Sequence, residues 1–514
     1  MADLERQATN KRIARNTLML YFRMLLLMCI SLYTSRVVLA TLGVVDYGVY
    51  NVVGGMVAMF TFLNAALAQA SSRYITFGIQ KDSVEDQRVT FSMLFYVHAL
   101  VGLLVLLLCE SVGLWLFYNK LVIPEDRMDA AFWVLQCSLV TMLITVTQVP
   151  YSASINGHER MDVYAYISIM EGVLRLGAVI ALKYVLGDRL LIYGILMMAV
   201  SLVVALTYRG YCHKCLPNCR LRRCWSGKLF KEVGTYTCWS LIGNLAHTLN
   251  GQGMNFLINI FFGPVYNATR GIATQVEVAV NSFLTNFLGA SVPAIIKNYA
   301  AGKVDETIRL GLKSTKLGFL LFMCLSLPLI AVIKPVLSLW LVEPPPLAAL
   351  FCLLSMVYLQ VSSLGGTLQN MVHATGRIRL YQLCNGGWQL LDLPVAYVLY
   401  RCGAPVETYL WVLMCFSLSS QPLKLLIVRY LIPQFSLGVY LRHTLLPSLG
   451  AYVLPFLLAL YCWHLDLSVW PAIGVCIGVL LLSMAFAWLI GLTSNERIWI
   501  KGIAVAKIHN IKIG

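Results

Sequence analysis

The chain has 514 residues, of which 59% are hydrophobic and only 12% are Asp, Glu, Lys or Arg, about half the charged fraction of an ordinary soluble domain. Helices in water need a polar face, so this many continuous apolar stripes exclude a soluble globular protein. Alternation at every second residue, the mark of a membrane β-barrel, is also missing, and the formal net charge of +16 therefore calls for a membrane explanation first.

Fourteen apolar windows of spanning length follow one another: 16–38, 48–70, 90–117, 130–150, 164–186, 190–209, 236–261, 271–292, 313–334, 347–371, 380–400, 408–428, 443–463 and 469–491. The second, eighth and eleventh carry the most small or polar residues. The expected fold is an all-α polytopic membrane protein. It has a six-helix lobe over 1–209, a basic cytoplasmic loop over 210–235, a second six-helix lobe over 236–428, and a terminal helix pair with a tail over 429–514. The first apolar run is too long for a removable signal peptide, and no small-residue cleavage site closes it.

Placing the N-terminus in the cytoplasm puts twenty-five Lys and Arg in inside segments and five (Lys120, Arg127, Arg189, Arg270 and Arg401) in outside loops. This asymmetry predicts both termini inside. It also accounts for the positive charge without a nucleic-acid partner. Most of the fifteen cysteines sit singly in apolar runs, as Cys29, Cys109, Cys137 and Cys324 do, and act as small hydrophobes. Cys212, Cys215, Cys219 and Cys224 gather beside His213 in the basic loop, but their spacing does not give two separated zinc-ligand pairs. The chain has no Walker loop, no nucleotide fingerprint and no H-E-x-x-H site. No metal, cofactor or ATP hydrolysis is therefore expected.

The two halves echo each other. Phe62-Leu63 and Phe283-Leu284 lie 221 residues apart. Upstream, Leu42-Gly43 precedes Tyr50-Asn51 as Phe262-Gly263 precedes Tyr266-Asn267. With six spans each, both halves start inside, so the repeat is parallel about an axis along the membrane normal; chance similarity between biased compositions is the alternative.

Ionised groups inside hydrocarbon are costly and normally face a cavity or a partner. In the first window Arg23 and Arg36 are roughly 20 Å apart along a helix; each either lines a central cavity or snorkels to a headgroup. Arg73 closes the second span as an interfacial arginine or a gate. Glu171 and Arg175, four apart in the fifth window, share a helix face in the favourable order. They neutralise each other, or Arg175 meets a phosphate while Glu171 holds it in place. The seventh window carries Asn244, His247, Asn250, Gln252 and Asn255 among glycines, which reads as close packing together with a hydrated path of sugar-binding amides. Arg270, Gln275, Glu277, Asn281 and Asn286 continue the theme, and Asp392 is expected to be buried near Asn385 and Gln389.

The run Tyr33-Thr34-Ser35-Arg36, Leu42-Gly43 and Asp46-Tyr47-Gly48-Val49-Tyr50-Asn51 resembles bacterial polysaccharide-biosynthesis membrane proteins. The second half is more specific: Leu257-Ile258-Asn259, Phe261-Phe262-Gly263-Pro264-Val265-Tyr266-Asn267-Ala268, Arg270-Gly271-Ile272-Ala273 and Gln275-Val276, then Asn286-Phe287, Pro293, Lys297 and Tyr299-Ala300. Together these resemble lipid-linked O-antigen or capsule repeat-unit flippases of the multidrug/oligosaccharidyl-lipid/polysaccharide exporter superfamily. The likeness is strongest over 10–80 and 240–310, and Thr269 departs from it where relatives are expected to have Ala.

The resemblance implies two six-helix lobes around a central cavity, a C-terminal helix pair and alternating access in a bacterial inner membrane. The cargo it implies is an undecaprenyl-diphosphate-linked oligosaccharide for lipopolysaccharide or capsule, with a polysaccharide polymerase and glycosyltransferases as partners alongside the phospholipid membrane. Arg23, Arg36, Arg73, Arg175 and Arg270 are the implied diphosphate contacts. Asn244, His247, Asn250, Gln252, Asn255, Gln275 and Asn281 would face the glycan. An H+ or Na+ gradient acting through Glu171, Glu277 or Asp392 is one driving force; consumption of cargo on the far side is the other. Two alternatives stand beside this reading: a cation-coupled exporter of small amphipathic drugs, and a membrane glycan polymerase or ligase. The last would need a sizeable outside loop, which these windows do not leave.

Overall fold

The computed structural model describes residues 2–498 other than 82, 159, 223–225, 290, 342, 376 and 466; some helical side chains, including those of residues 2–24 and 236–250, lie outside the described set. Every regular element among the described residues is helical. The chain divides into two compact units: Met1–Gly271 with Leu341–Pro346, and Ile272–Trp340 with Leu347–Gly514.

The first unit runs through α1 (Ala2–Ala58), α2 (Thr61–Lys81), α3 (Val84–Leu108), a π-helical turn and α4 (Leu114–Asn119), α5 (Met128–Gly157), α6 (Met161–Leu182), α7 (Arg189–Cys215), α8 (Gly227–Phe262) and the start of α9 (Pro264–Gly289). Two glycines shape it. Gly43 interrupts α1 at φ 80°, ψ 172°, and Gly263 separates α8 from α9 at φ 81°, ψ −178°. That region of backbone space is open essentially to glycine alone. The glycines paired in the sequence repeat thus make the same backbone break. The stretches following them also lie together: a Cβ on Gly48 would fall 1.9 Å from the Pro264 carbonyl oxygen, and one on Gly271 would fall 2.9 Å from Asn51 Nδ2.

Packing in this unit centres on α5, which contacts α1, α2, α3 and α7. Gly194 lets α7 approach Val134 and Cys137 of α5, the close backbone contact that small residues allow between membrane helices. At the end where α5 and α7 begin, Arg127 grips both oxygens of Asp46 and donates to Asp188 Oδ2 at 3.0 Å. Asp188 also caps α7, accepting from the Leu190 and Leu191 amides, as N-cap aspartates do.

The second unit continues with the rest of α9, then α10 (Val292–Ala300), α11 (Val304–Ala331), α12 (Ile333–Trp340), α13 (Ala348–Ser363), α14 (Gly366–Thr375), α15 (Ile378–Tyr381), a π-helical turn (Gln382–Gly386), α16 (Gly387–Leu390), α17 (Asp392–Arg401), α18 (Thr408–Leu431), α19 (Leu437–Tyr440), α20 (Leu446–His464) and α21 (Val469–Phe486). The most apolar window of α11 is 72% buried and that of α21 only 17%. α11 is therefore the interior helix of the unit, and α21 is left for another apolar surface to cover. Leu454, Leu457, Trp470 and Leu481 stand exposed on the last two helices, which suits hydrocarbon and not water.

Among the described residues eleven helical stretches are long and apolar enough to cross a membrane, where the sequence predicts fourteen. The difference falls on three windows. Window 48–70 is shared between α1, which continues through the first window, and α2; 380–400 is cut into α15, a π turn, α16 and α17; 236–261 falls in α8, where many side chains lie outside the described set. The chain is a multi-pass membrane protein.

Candidate functional site

The charged pair on α6 has the geometry its spacing predicts. Arg175 donates to Glu171 Oε1 at 2.6 Å, and the two side chains remain 52% and 36% exposed, so the guanidinium keeps donors free for a ligand. α6 packs against α1 and α7, which brings Arg175 within electrostatic reach of Tyr50 on α1 and Tyr193 on α7. The two tyrosine rings are 4.6 Å apart. Tyr50 also lines a cavity of about 230 Å³ inside the first unit, walled by Gly54 of α1, Asn64 of α2, Thr141 and Thr145 of α5 and Met197 of α7. Asn64 Oδ1 is buried with no hydrogen-bond partner. The first unit therefore presents a held arginine, two phenolic rings, and a chamber with an unused amide oxygen.

The other predicted residues distribute as follows. Arg36 is exposed and forms no ion pair among the described residues. Arg270 is 8% exposed. The side chains of Arg23, Arg73, Asn244, His247 and Asn250 lie outside the described residues. Gln252 and Asn255 bond to each other, Nδ2 to Oε1 at 3.0 Å. Gln252 Oε1 would lie 3.1 Å from a Cβ on Gly55, and Asn267 donates to the Asn255 carbonyl at 2.8 Å. This part of the amide strip binds α8, α9 and α1 together. Asn259 clamps the chain at Val122, accepting from its amide and donating to its carbonyl.

In the second unit Gln275, Glu277 and Asn281 are half-buried on α9, with Glu277 in electrostatic reach of Cys352 on α13. Asp392, 2% exposed, begins α17, and Asn385 of the preceding π turn is also buried. In the cysteine-rich loop Cys212 and Cys219 are buried and Cys215 is exposed. No group of three or more His, Cys, Asp or Glu among the described residues could hold a metal.

Three charged sites escaped the sequence reading. Asp46 and Arg127 form the clasp described above. Lys316 of α11, its side chain 3% exposed, meets Glu496 at 2.6 Å. Lys424 of α18 is 5% exposed. Each lysine stands inside an apolar window but near one end, where sequence alone does not separate it from an interfacial lysine. Thr493-Ser494-Asn495-Glu496 is also a capping-box pattern.

No protein family and no curated protein matches the chain in sequence. Solved structures do match. One described as "Lipid II flippase MurJ, inward closed conformation" aligns with TM-score 0.65 at 12% identity, covering 92% of this chain and 99% of its own. An inward-facing multidrug resistance MATE family transporter of the MOP superfamily aligns with TM-score 0.62 at 13% identity, covering 79% and 96%. A MOP superfamily transporter from Pyrococcus furiosus, described as having a binding pocket of reversed polarity, aligns with TM-score 0.56 at 13% identity, covering 81% and 95%. The chain has the MOP-superfamily transporter fold. At these identities it is the fold that is shared. Within this MOP fold the α6 pair and the chamber beside Tyr50 are the site that the described residues build most completely.

Proposed function

We propose that this MOP-type chain is a flippase. It moves an undecaprenyl-diphosphate-linked oligosaccharide from the cytoplasmic to the periplasmic leaflet of a bacterial inner membrane by alternating access, for O-antigen, capsule or exopolysaccharide. Both termini are cytoplasmic and the chain crosses fourteen times, with the break at Gly43 ending the first crossing. A diphosphate needs a cation that presents several donors at once, which suits arginine better than lysine. The observation that carries the reading is Arg175, held at 2.6 Å by Glu171 beside Tyr50 and Tyr193. The carboxylate orients the guanidinium without using all its donors, and the Tyr50 phenol lines the chamber beside it. Arg36 and Arg270, with Arg23 and Arg73, complete the proposed cation set; Gln275, Asn281 and the α8 residues Asn244, His247 and Asn250 serve the glycan, and Glu171, Glu277 or Asp392 would carry ion coupling.

Coverage favours this cargo over a small amphipathic drug. The flippase structure spans 92% of the chain and the multidrug transporter 79%. The experiment is transport by Arg175→Gln and Arg175→Lys in proteoliposomes. Both variants should insert normally. Arg175→Gln should lose most transport, and Arg175→Lys should recover only part, since an ammonium lacks the fork. Wild-type transport by Arg175→Gln removes the assignment.

A further inference from the structure

We infer that a short motif present twice in the chain forms a seam that opens and closes, with Asn259 as its latch. The first copy reads Gly48-Val49-Tyr50-Asn51 and runs on to Gly55; the second reads Pro264-Val265-Tyr266-Asn267 and runs on to Gly271. Each copy follows one of the two glycine breaks, at Gly43 and Gly263. The copies touch at matching positions. A Cβ on Gly48 would fall 1.9 Å from the Pro264 carbonyl oxygen, and one on Gly271 would fall 3.2 Å from Asn51 Cγ. The same short face thus serves on both sides, as it does in a two-fold contact between subunits. The match breaks at one point: a Cβ on Gly55 would meet Gln252 Oε1 and Asn255 Nδ2 of α8, where the pattern would place Asn267.

The amides along the seam are bonded on their own side of it. Asn51 donates to the Tyr47 carbonyl of α1 at 2.8 Å. Opposite, Asn255 donates to Gln252 Oε1 at 3.0 Å, and Asn267 donates to the Asn255 carbonyl at 2.8 Å. Separating the copies breaks none of these bonds and strands none of these donors, so it avoids the cost of an unmade buried hydrogen bond. Glycine brings the backbones together without interlocking side chains, so the contact parts and re-forms without repacking.

The α8–α9 corner is tied down beside the seam. Asn259, fully buried near the end of α8, accepts from the Val122 amide at 2.8 Å and donates to the Val122 carbonyl at 3.3 Å. Water replaces both bonds once the corner lifts, so the latch holds the seam by only a modest margin. The inference rests on the alternating-access part of the proposed function, in which one repeat rocks against another, and is independent of the cargo.

Ala268 stands between Pro264 and Gly271 on one helix face and is fully buried. Ala268→Cys in the full-length protein, held in proteoliposomes, is exposed to a water-soluble maleimide, and the labelled peptide is followed by mass spectrometry. Cys352 of α13, also fully buried, reports general unfolding in the same molecule. The introduced thiol should label about tenfold faster than Cys352 or more, because local opening is easier than global unfolding. Adding Asn259→Ala should raise that rate about a further tenfold, through loss of two hydrogen bonds. In a separate variant, Asn51→Cys with Gly271→Cys, the approach is close enough for a disulfide. Oxidation should link the pair and stop transport, and a reductant should restore it. Labelling no faster than that of Cys352, a rate unmoved by Asn259→Ala, or undiminished transport by the linked protein overturns the proposal. Should Asn259→Ala fail to fold, the first and last of these decide. A glycan lipid that stays still with the unlinked protein counts against the cargo alone, and the labelling rates then decide.

Discussion

Removing the carboxylate of Glu496 should destabilise the second unit more than removing the ammonium of Lys316. The Lys316 side chain is 3% exposed and that of Glu496 is 14% exposed, with 2.6 Å between Nζ and Oε2. Glu496 Oε2 also accepts from Thr493 N and Oγ1, both at 2.9 Å. Glu496→Ala strands a charge with no route to water and costs about 3–5 kcal/mol. Lys316→Met keeps the aliphatic stem and leaves a carboxylate that retains two hydrogen bonds near the surface, costing about 1–3 kcal/mol. The double variant strands nothing, so the effects should not add, with a coupling of about 0.5–3 kcal/mol.

Denaturation of the four proteins in one detergent measures this cycle. Burial alone pushes the Glu496 carboxyl up, but the Lys316 ammonium and the Thr493 bonds outweigh it and hold it below its usual range. With the folded value below the unfolded one, the stabilisation is complete above the ordinary carboxylate range. It is lost as pH falls through the lowered value. Wild type should therefore weaken on acidification and Glu496→Ala should weaken less. Equal costs for the two single variants, or a coupling near zero, refute the reasoning.

Arg127→Ala should destabilise the first unit by about 2–3 kcal/mol, because the Asp46 side chain is 7% exposed and loses the partner that holds both its oxygens; Arg127→Lys should restore only part, and thermal melting in detergent reads both. Gly43→Ala and Gly263→Ala should each cost about 1–3 kcal/mol and resemble each other, since nothing lies within 4 Å of the added methyl at either position and the strain is in the backbone. Gly48→Ala should exceed both, because its methyl meets the Pro264 carbonyl oxygen at 1.9 Å; expression and melting of the three variants check the order.

The helices were legible because spanning hydrocarbon demands continuous apolar runs. Two windows were harder to read for identifiable reasons. Window 48–70 contains Gly54, Gly55 and several alanines, which suit a bent helix as well as a straight one. Window 380–400 hides a π turn that no residue type marks. The matching backbone breaks at Gly43 and Gly263 were legible because only glycine makes that break. For the site, Glu171 and Arg175 could be paired by spacing, but their approach to Tyr50 and Tyr193 depends on three helices far apart in sequence. Gln252 and Asn255 show the opposite case: an amide strip reads the same whether it faces a hydrated path or a neighbouring helix at Gly55. Lys316 and Lys424 sit among leucines near the ends of their windows, where a lysine is indistinguishable from an interfacial one until its neighbours are in place.

The most direct measurement of the proposed activity is leaflet exposure of a fluorescent prenyl-diphosphate oligosaccharide in proteoliposomes holding the full chain, run beside a fluorescent small amphipathic cation. The glycan lipid should change leaflets faster than in protein-free vesicles, and the cation should not move. Efflux of the cation with a stationary glycan lipid would contradict the cargo assignment and return the chain to the drug-exporter reading.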